Sequence, residues 1–162
     1  DSVAVRWAYL NAPVHLLFAH FWAGEQYDGS NDIRRLHELR TLDPALEKSN
    51  ESTIAVASAI HSLNNGDDFK AYMFAVSAIL CHICPPPAPE YLATAHLILA
   101  RVAAKLHRVA MRDGCVSDML SLPLYGNIAS AHLRDVAAVA GKSSSARQVL
   151  AIARRALYRT PD

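Results

Sequence analysis

No run of eighteen consecutive apolar residues occurs in this chain, so the usual signature of a membrane-spanning helix is missing. The nearest approach, Ala71 to Ile83, is interrupted by Ser77 and His82 and is halted by the proline run that follows. Glycine numbers only 6 and aromatic residues 7%, while alanine is abundant, a balance that favours closely packed helices over a sheet. Cysteine numbers 3, an odd count that argues against a disulfide framework and points to a reducing, intracellular compartment. No basic segment followed by a cleavable apolar stretch opens the sequence. The chain starts at Asp1 without a methionine, as expected of an excised domain, a processed product or a chain whose start is absent.

Catalytic signatures are missing too. There is no HExxH, GxSxG, Walker A loop or GxGxxG, each of which would set a metal, nucleophile or phosphate cradle at fixed spacing. Cys81-His82-Ile83-Cys84 is half of a zinc-site spacing, but no second CxxC or HxxxH pair completes four ligands. As a redox pair it would stand at the C-terminal end of an apolar helix, where the helix dipole disfavours a thiolate. The Asp67-Asp68 pair is explained by helix capping, and Asp28 and Asp32 are followed by no EF-hand spacing. The sequence therefore assigns no catalytic residue, no metal ligand and no cofactor, and argues against an enzyme.

What is present is a helical chain with 52% hydrophobic residues in 162 positions, enough for one sizeable core. The expected fold is all-α: a compact orthogonal bundle of about seven helices, one helical domain over residues 1–162, built around a buried central hairpin at 51–84. Ser2 to Leu10 reads as a short helix or a docking segment, with Pro13 starting the next helix, Val14 to Ala23, which Gly24 ends. His15 and His20 lie near its apolar band as packed or edge residues. A polar helix follows over Asp32 to Arg40, and Asp43-Pro44 starts another as N-cap and first position.

Glu51 to Cys84 reads as two helices joined by Asn64-Asn65-Gly66-Asp67, the first capped by Ser49 or Ser52. Both are apolar nearly all round, the pattern of interior helices. The first places Ile54, Val56, Ile60 and Leu63 inside, and the second Phe69, Tyr72, Met73, Phe74, Val76, Ile79, Leu80 and Ile83. After a Pro-rich turn at 85–89 come helices over Glu90 to Arg112, Cys115 to Leu122, Ile128 to Ala140 and Ala146 to Arg159. On the first of these, Leu92, Ala95, Leu99, Ala103, Leu106 and Ala110 form one apolar face.

Charge is the clearest functional signal. The net charge of +1 hides a division: residues 1–81 carry 6 Lys and Arg against 10 Asp and Glu, a net of −4, and residues 82–162 carry 10 against 5, a net of +5. The proline turn thus separates an acidic half, 1–84, from a basic half, 90–162. Arg101, Lys105, Arg108 and Arg112 recur at +4, +3 and +4, a row about 16 Å long on one helix side. No acidic residue lies between Glu90 and Asp113 to neutralise it. Arg147, Arg154, Arg155 and Arg159 give the last helix a second basic side.

Two rows of that kind suit phosphate contacts, and the charge division together with alanine-rich faces suits copies that pack acidic half to basic half. Trp7, Tyr9 and Leu10 read as an arm docking on a neighbour. The resulting expectation is a non-enzymatic binding or assembly protein: a homo-oligomer with basic helix faces toward an anionic partner such as RNA or DNA, of nucleoprotein or coat type. A protein-interaction or regulatory domain that never touches nucleic acid is the alternative.

Overall fold

A computed structural model describes residues 3–80 and 88–113, without the side chains at 89, 100, 103, 104 and 106–113. Six α-helices account for the described residues, and no strand occurs among them: α1 (Val3–Ala23), α2 (Ser30–Leu42), α3 (Pro44–Ser49), α4 (Glu51–Asn64), α5 (Asp68–Leu80) and α6 (Pro89–Asp113). The all-helical reading of the sequence holds. Cys81 to Cys84 and the helices expected beyond Gly114 lie outside the described residues, and with them Arg147, Arg154, Arg155 and Arg159. The chain divides into two compact units, 1–88 and 89–162, at the end of the proline run. Since residues 82–88 carry no Lys, Arg, Asp or Glu, the first unit is the −4 unit and the second the +5 unit.

In the first unit, α1 packs on α2 and α4, and α5 packs on α4. The structure corrects the sequence reading at Pro13. Instead of starting a helix, it lies inside one that runs unbroken from Val3. An interior proline costs a helix about 3 kcal/mol through its missing N–H and a ring clash. Here its ring is buried with Leu10, Val14, Leu17, Phe18 and Phe21, and the packing of that stripe offsets the cost. The segment expected to dock on a neighbour is therefore the first half of α1: Leu10 is buried within its own fold, while Val3, Val5 and Trp7 are exposed.

Both glycine-terminated helices end in the same way. Gly24, at φ +74°, follows α1, and its N–H donates to the Phe21 carbonyl while the Glu25 N–H donates to that of His20. Gly66, at φ +76°, follows α4 with the matching pair of bonds, Gly66 to Leu63 and Asp67 to Ser62. A left-handed residue after the helix is what allows the last carbonyls to be satisfied from beyond it. Asp67 then turns the chain into α5, its Oδ1 accepting the Lys70 N–H at 3.0 Å. Three residues thus suffice between α4 and α5. Gly29, the N-cap of α2, is glycine for a different reason, because a Cβ there would overlap the Leu17 side chain where α1 meets the loop.

Asp43 caps α3, accepting the Leu46 N–H at 3.0 Å, with Pro44 at the first position as expected. Its other oxygen faces Arg6 of α1 at 3.4 Å. The N-cap of α4 is Asn50 rather than Ser49 or Ser52: Ser49 donates to the Leu46 carbonyl, and Ser52 is buried one residue inside the helix.

The hairpin departs from expectation in its second helix. Of the interior expected for α4, Val56 and Ile60 are fully buried together with Ala57 and Ala59, whereas Ile54 and Leu63 are half-buried. In α5 the buried residues are Ala71, Ala75 and Ala78. Phe69 is 75% exposed, Leu80 59% and Met73 50%, whereas Tyr72, Val76 and Ile79 are half-buried. Alanines at i, i+4 and i+7 let the α5 backbone approach α4 closely, and that arc leaves the bulky residues on the opposite side.

Within the second unit, α6 buries Ala93, Thr94, Ala95, Leu97, Ile98, Leu99 and Val102, so its first half is enclosed on more than the single face expected. Buried Thr94 donates its hydroxyl to the Glu90 carbonyl at 2.8 Å, which satisfies it within the helix.

Candidate binding surfaces

A cleft of about 290 Å³ opens in the first unit where α2 and α5 both pack on α4 without packing closely on each other. Helix α2 contributes Ile33 and His37, one turn apart, α5 contributes Lys70 and Phe74, and Asp67 stands just before α5. The floor is α4 and its C-cap Asn65, with Ser58 and Ser62 at i and i+4 and His61 and Asn65 at the same spacing. Both serine hydroxyls donate into the helix, Ser58 to the Ile54 carbonyl and Ser62 to the Ser58 carbonyl, each at 2.9 Å. Asp67 is occupied on both oxygens, by the Lys70 N–H at 3.0 Å and by the Lys70 ammonium at 3.5 Å.

His61 is the unusual member. Its Nε2 lies 3.1 Å from the Asn65 amide nitrogen, and its Nδ1 is buried with no hydrogen-bond partner. With the amide donating, Nε2 accepts and the imidazole proton sits on Nδ1. An orphaned buried donor of that kind costs about 1–3 kcal/mol. Sequence reasoning passed over this cleft. The spacing of His61 and Asn65 was legible, but nothing marks it until α2 and α5 are placed beside it.

A second surface is the outward side of α5. Phe69, Met73 and Leu80 fall within a narrow arc at helical spacing, opposite Ala71, Ala75 and Ala78. Large apolar side chains gathered on one exposed helix side mark interaction sites more often than isolated ones do. The alanine periodicity is a signal the sequence did contain.

The third surface is the α6 row. Arg101, Lys105, Arg108 and Arg112 are all carried by one continuous helix, Pro89–Asp113. Lys105 is exposed. Arg101 is half-buried, and burial pushes its guanidinium below the usual arginine range, although such a group stays protonated at neutral pH. The side chains of Arg108 and Arg112 are outside the described residues. Burial also pushes the Tyr91 phenol up, near the start of the same helix.

A polar cluster ties the end of α1 to the start of α2. The Tyr27 hydroxyl donates to buried Asp32 at 2.6 Å, and the His20 ring stacks on Tyr27 with centroids 4.2 Å apart. His20 Nδ1 lies 2.7 Å from Glu25, placing this histidine at the edge of the core as expected, while His15 is exposed. The bond to Asp32 pushes the Tyr27 pKa up to about 12, with burial and the Asp32 and Asp28 charges adding to it and Arg35 opposing. Asp28 moves the other way, held below the usual carboxylate range chiefly by the Ser30 hydroxyl and N–H.

Because the folded phenol holds its proton more tightly than an unfolded one, nothing changes below the ordinary tyrosine value of 10.0. Between there and about 12 the unfolded chain releases its proton first, and stability falls as pH rises. Urea midpoints measured across that window are expected to fall less steeply in Tyr27→Phe than in the unaltered protein.

Among the described residues no group of three or more His, Cys, Asp or Glu could hold a metal ion, and no helix is long and apolar enough to cross a membrane. No protein family, no curated protein and no solved structure matches this chain.

Proposed function

We propose that this chain is a non-enzymatic assembly protein: copies associate through the outward side of α5, and the basic helix rows face an anionic polymer, RNA or DNA. The observation that carries the reading is the exposure of Phe69, Met73 and Leu80 on one side of a helix whose opposite side is alanine. Burying each of those side chains is worth about 1.5–3 kcal/mol, so leaving them in water is a standing incentive to associate. The occupant the chain itself suggests is a second copy, because a −4 unit and a +5 unit in one molecule attract head to tail between molecules. In a nucleoprotein or coat-type assembly, the Arg101–Arg112 row and Arg147, Arg154, Arg155 and Arg159 would then supply phosphate contacts.

The partial burial of Arg101 favours a second reading, a protein-interaction or regulatory domain that never binds nucleic acid, because it leaves one fewer freely presented cation in the row.

Light scattering coupled to size exclusion is expected to show a dimer or larger species at low salt and weaker association at high salt, where charge pairing between copies is screened. Phe69→Asp/Met73→Asp is expected to give monomers at both, with an unchanged helical spectrum. A strict monomer in the unaltered protein sinks the assembly reading. Fluorescence anisotropy with a short single-stranded oligonucleotide tests the rest: affinity that survives intact in Arg101→Glu/Arg108→Glu sinks the nucleic-acid version and leaves the protein-partner one.

A further inference from the structure

We infer, building on the assembly reading, that the outward side of α5 docks on the outward side of α1 in a second copy, so that copies join head to tail through two different faces of the first unit. Opposite its buried stripe, α1 exposes Val5, Ala8, Ala12, Leu16 and Ala19, which follow one another at helical spacing. Arg6 is the only Lys, Arg, Asp or Glu in that helix, and it pairs with Asp43 at 3.4 Å. On α5 the only exposed charged residue is Lys70, which pairs with Asp67 at 3.5 Å. Depletion of charge distinguishes the core of an interface from ordinary protein surface. Neither residues 2–24 nor residues 69–88 contain Asp or Glu, so the acids that make the first unit negative all lie outside both helices' exposed faces. Two copies of that unit can meet here without either face bringing a negative charge of its own.

Side-chain size decides which face meets which. Phe69, Met73 and Leu80 form a bulky ridge, whereas the α1 side is mostly alanine, a shallow groove between Val5 and Leu16. A ridge of large side chains packs closely when small ones receive it. Two α5 ridges set against each other would hold the helices apart and leave voids, and two alanine faces would bury little apolar area. The α4–α5 contact within the molecule follows the same rule, since it is alanine on the α5 side. The lengths agree as well: Phe69 to Leu80 and Val5 to Leu16 are each eleven positions apart, about 16 Å of helix. Within one copy α1 and α5 both pack on α4 and not closely on each other, so a copy that presents α5 to one neighbour still offers α1 to the next. Contacts of that kind close into rings or run on as filaments.

Mixing two variants of the full chain, with the mass read by light scattering, tests the contact. Phe69→Asp/Met73→Asp removes the ridge, and Ala8→Glu/Ala12→Glu blocks the groove with a good helix former at exposed positions, so both are expected to keep the helical spectrum. Each variant alone is expected to run as a monomer. Mixed in equal amounts at low salt, they are expected to double that mass and go no further, because the first still offers α1 and the second still offers α5. Leu16→Glu, a single change on the same side of α1, is expected to behave as the double α1 variant does. An α1 variant that assembles to the unaltered protein's size, or a mixture that stays monomeric, would overturn the head-to-tail contact while association through α5 stands. A strict monomer in the unaltered protein sinks the assembly reading, and the α1 contact with it.

Discussion

Ile60→Asp is expected to unfold the first unit. Ile60 is fully buried on the inner side of α4, among Val56, Ala57 and Ala59. The substitution removes the burial of a large aliphatic side chain, worth about 1.5–3 kcal/mol, and leaves a carboxyl group in apolar surroundings, where it must either stay charged at high cost or take up a proton. Together these reach about 5 kcal/mol, comparable with the whole stability of many domains. Ile60→Val keeps the shape and loses one methylene, for about 1 kcal/mol. Val76→Asp is the informative companion. The sequence alone gives it the same severity, but Val76 is only half-buried on α5, and its loss should be clearly the smaller. Circular dichroism and urea midpoints on the three variants read out the order, and equal losses at 60 and 76 would contradict the observed placement of α5.

Ala75→Leu is expected to destabilise the first unit, although it replaces one good helix former by another. Ala75 is fully buried with Ala71 and Ala78 on the side that approaches α4. Three added carbons have no space in that contact, and overpacking of this sort costs about 1–3 kcal/mol through displaced side chains and backbone. The control is Met73→Ser, on the outward side, which at high dilution and high salt, where copies are dissociated, should stay within about 0.5 kcal/mol of the starting protein. Thermal denaturation compares the two directly. A tolerated Ala75→Leu alongside a damaging Met73→Ser would mean that α5 is turned the other way round.

Both results bear on what can be read from a helix without its neighbours. The junction of α4 with α5 and the start of α3 were legible because they depend on local chemistry. Gly66 supplies the left-handed residue, Asp67 the cap, and Asp43-Pro44 the start of α3, each acting within a few residues. The apolar character of both helices was legible too. The side of α5 that faces inward was not, because a helix apolar nearly all round carries no polar arc to mark the solvent side. Side-chain size suggested that Phe69, Met73 and Leu80 go inside. Backbone proximity favoured Ala71, Ala75 and Ala78 instead.

Pro13 shows the same limit from the other direction. Local rules start a helix there, and only the burial of its ring alongside Leu10 and Leu17 shows that the helix continues through it. The basic row from Arg101 to Arg112 was fully legible as a pattern, since spacing along one continuous helix fixes which residues share a side. How far Arg101 stands out from that row depends on what surrounds it, and this the pattern does not contain.

The sequence by itself determined the all-helical class, the helix ends set by glycine and aspartate, and the division of charge at the proline run, because each follows from residue chemistry over a few positions. Only the tertiary structure decided that α5 turns its alanines to α4, and that α2 and α5 leave a cleft lined by His61 between them. Those outcomes depend on how closely two backbones can approach, and that distance is set jointly by residues far apart in the chain.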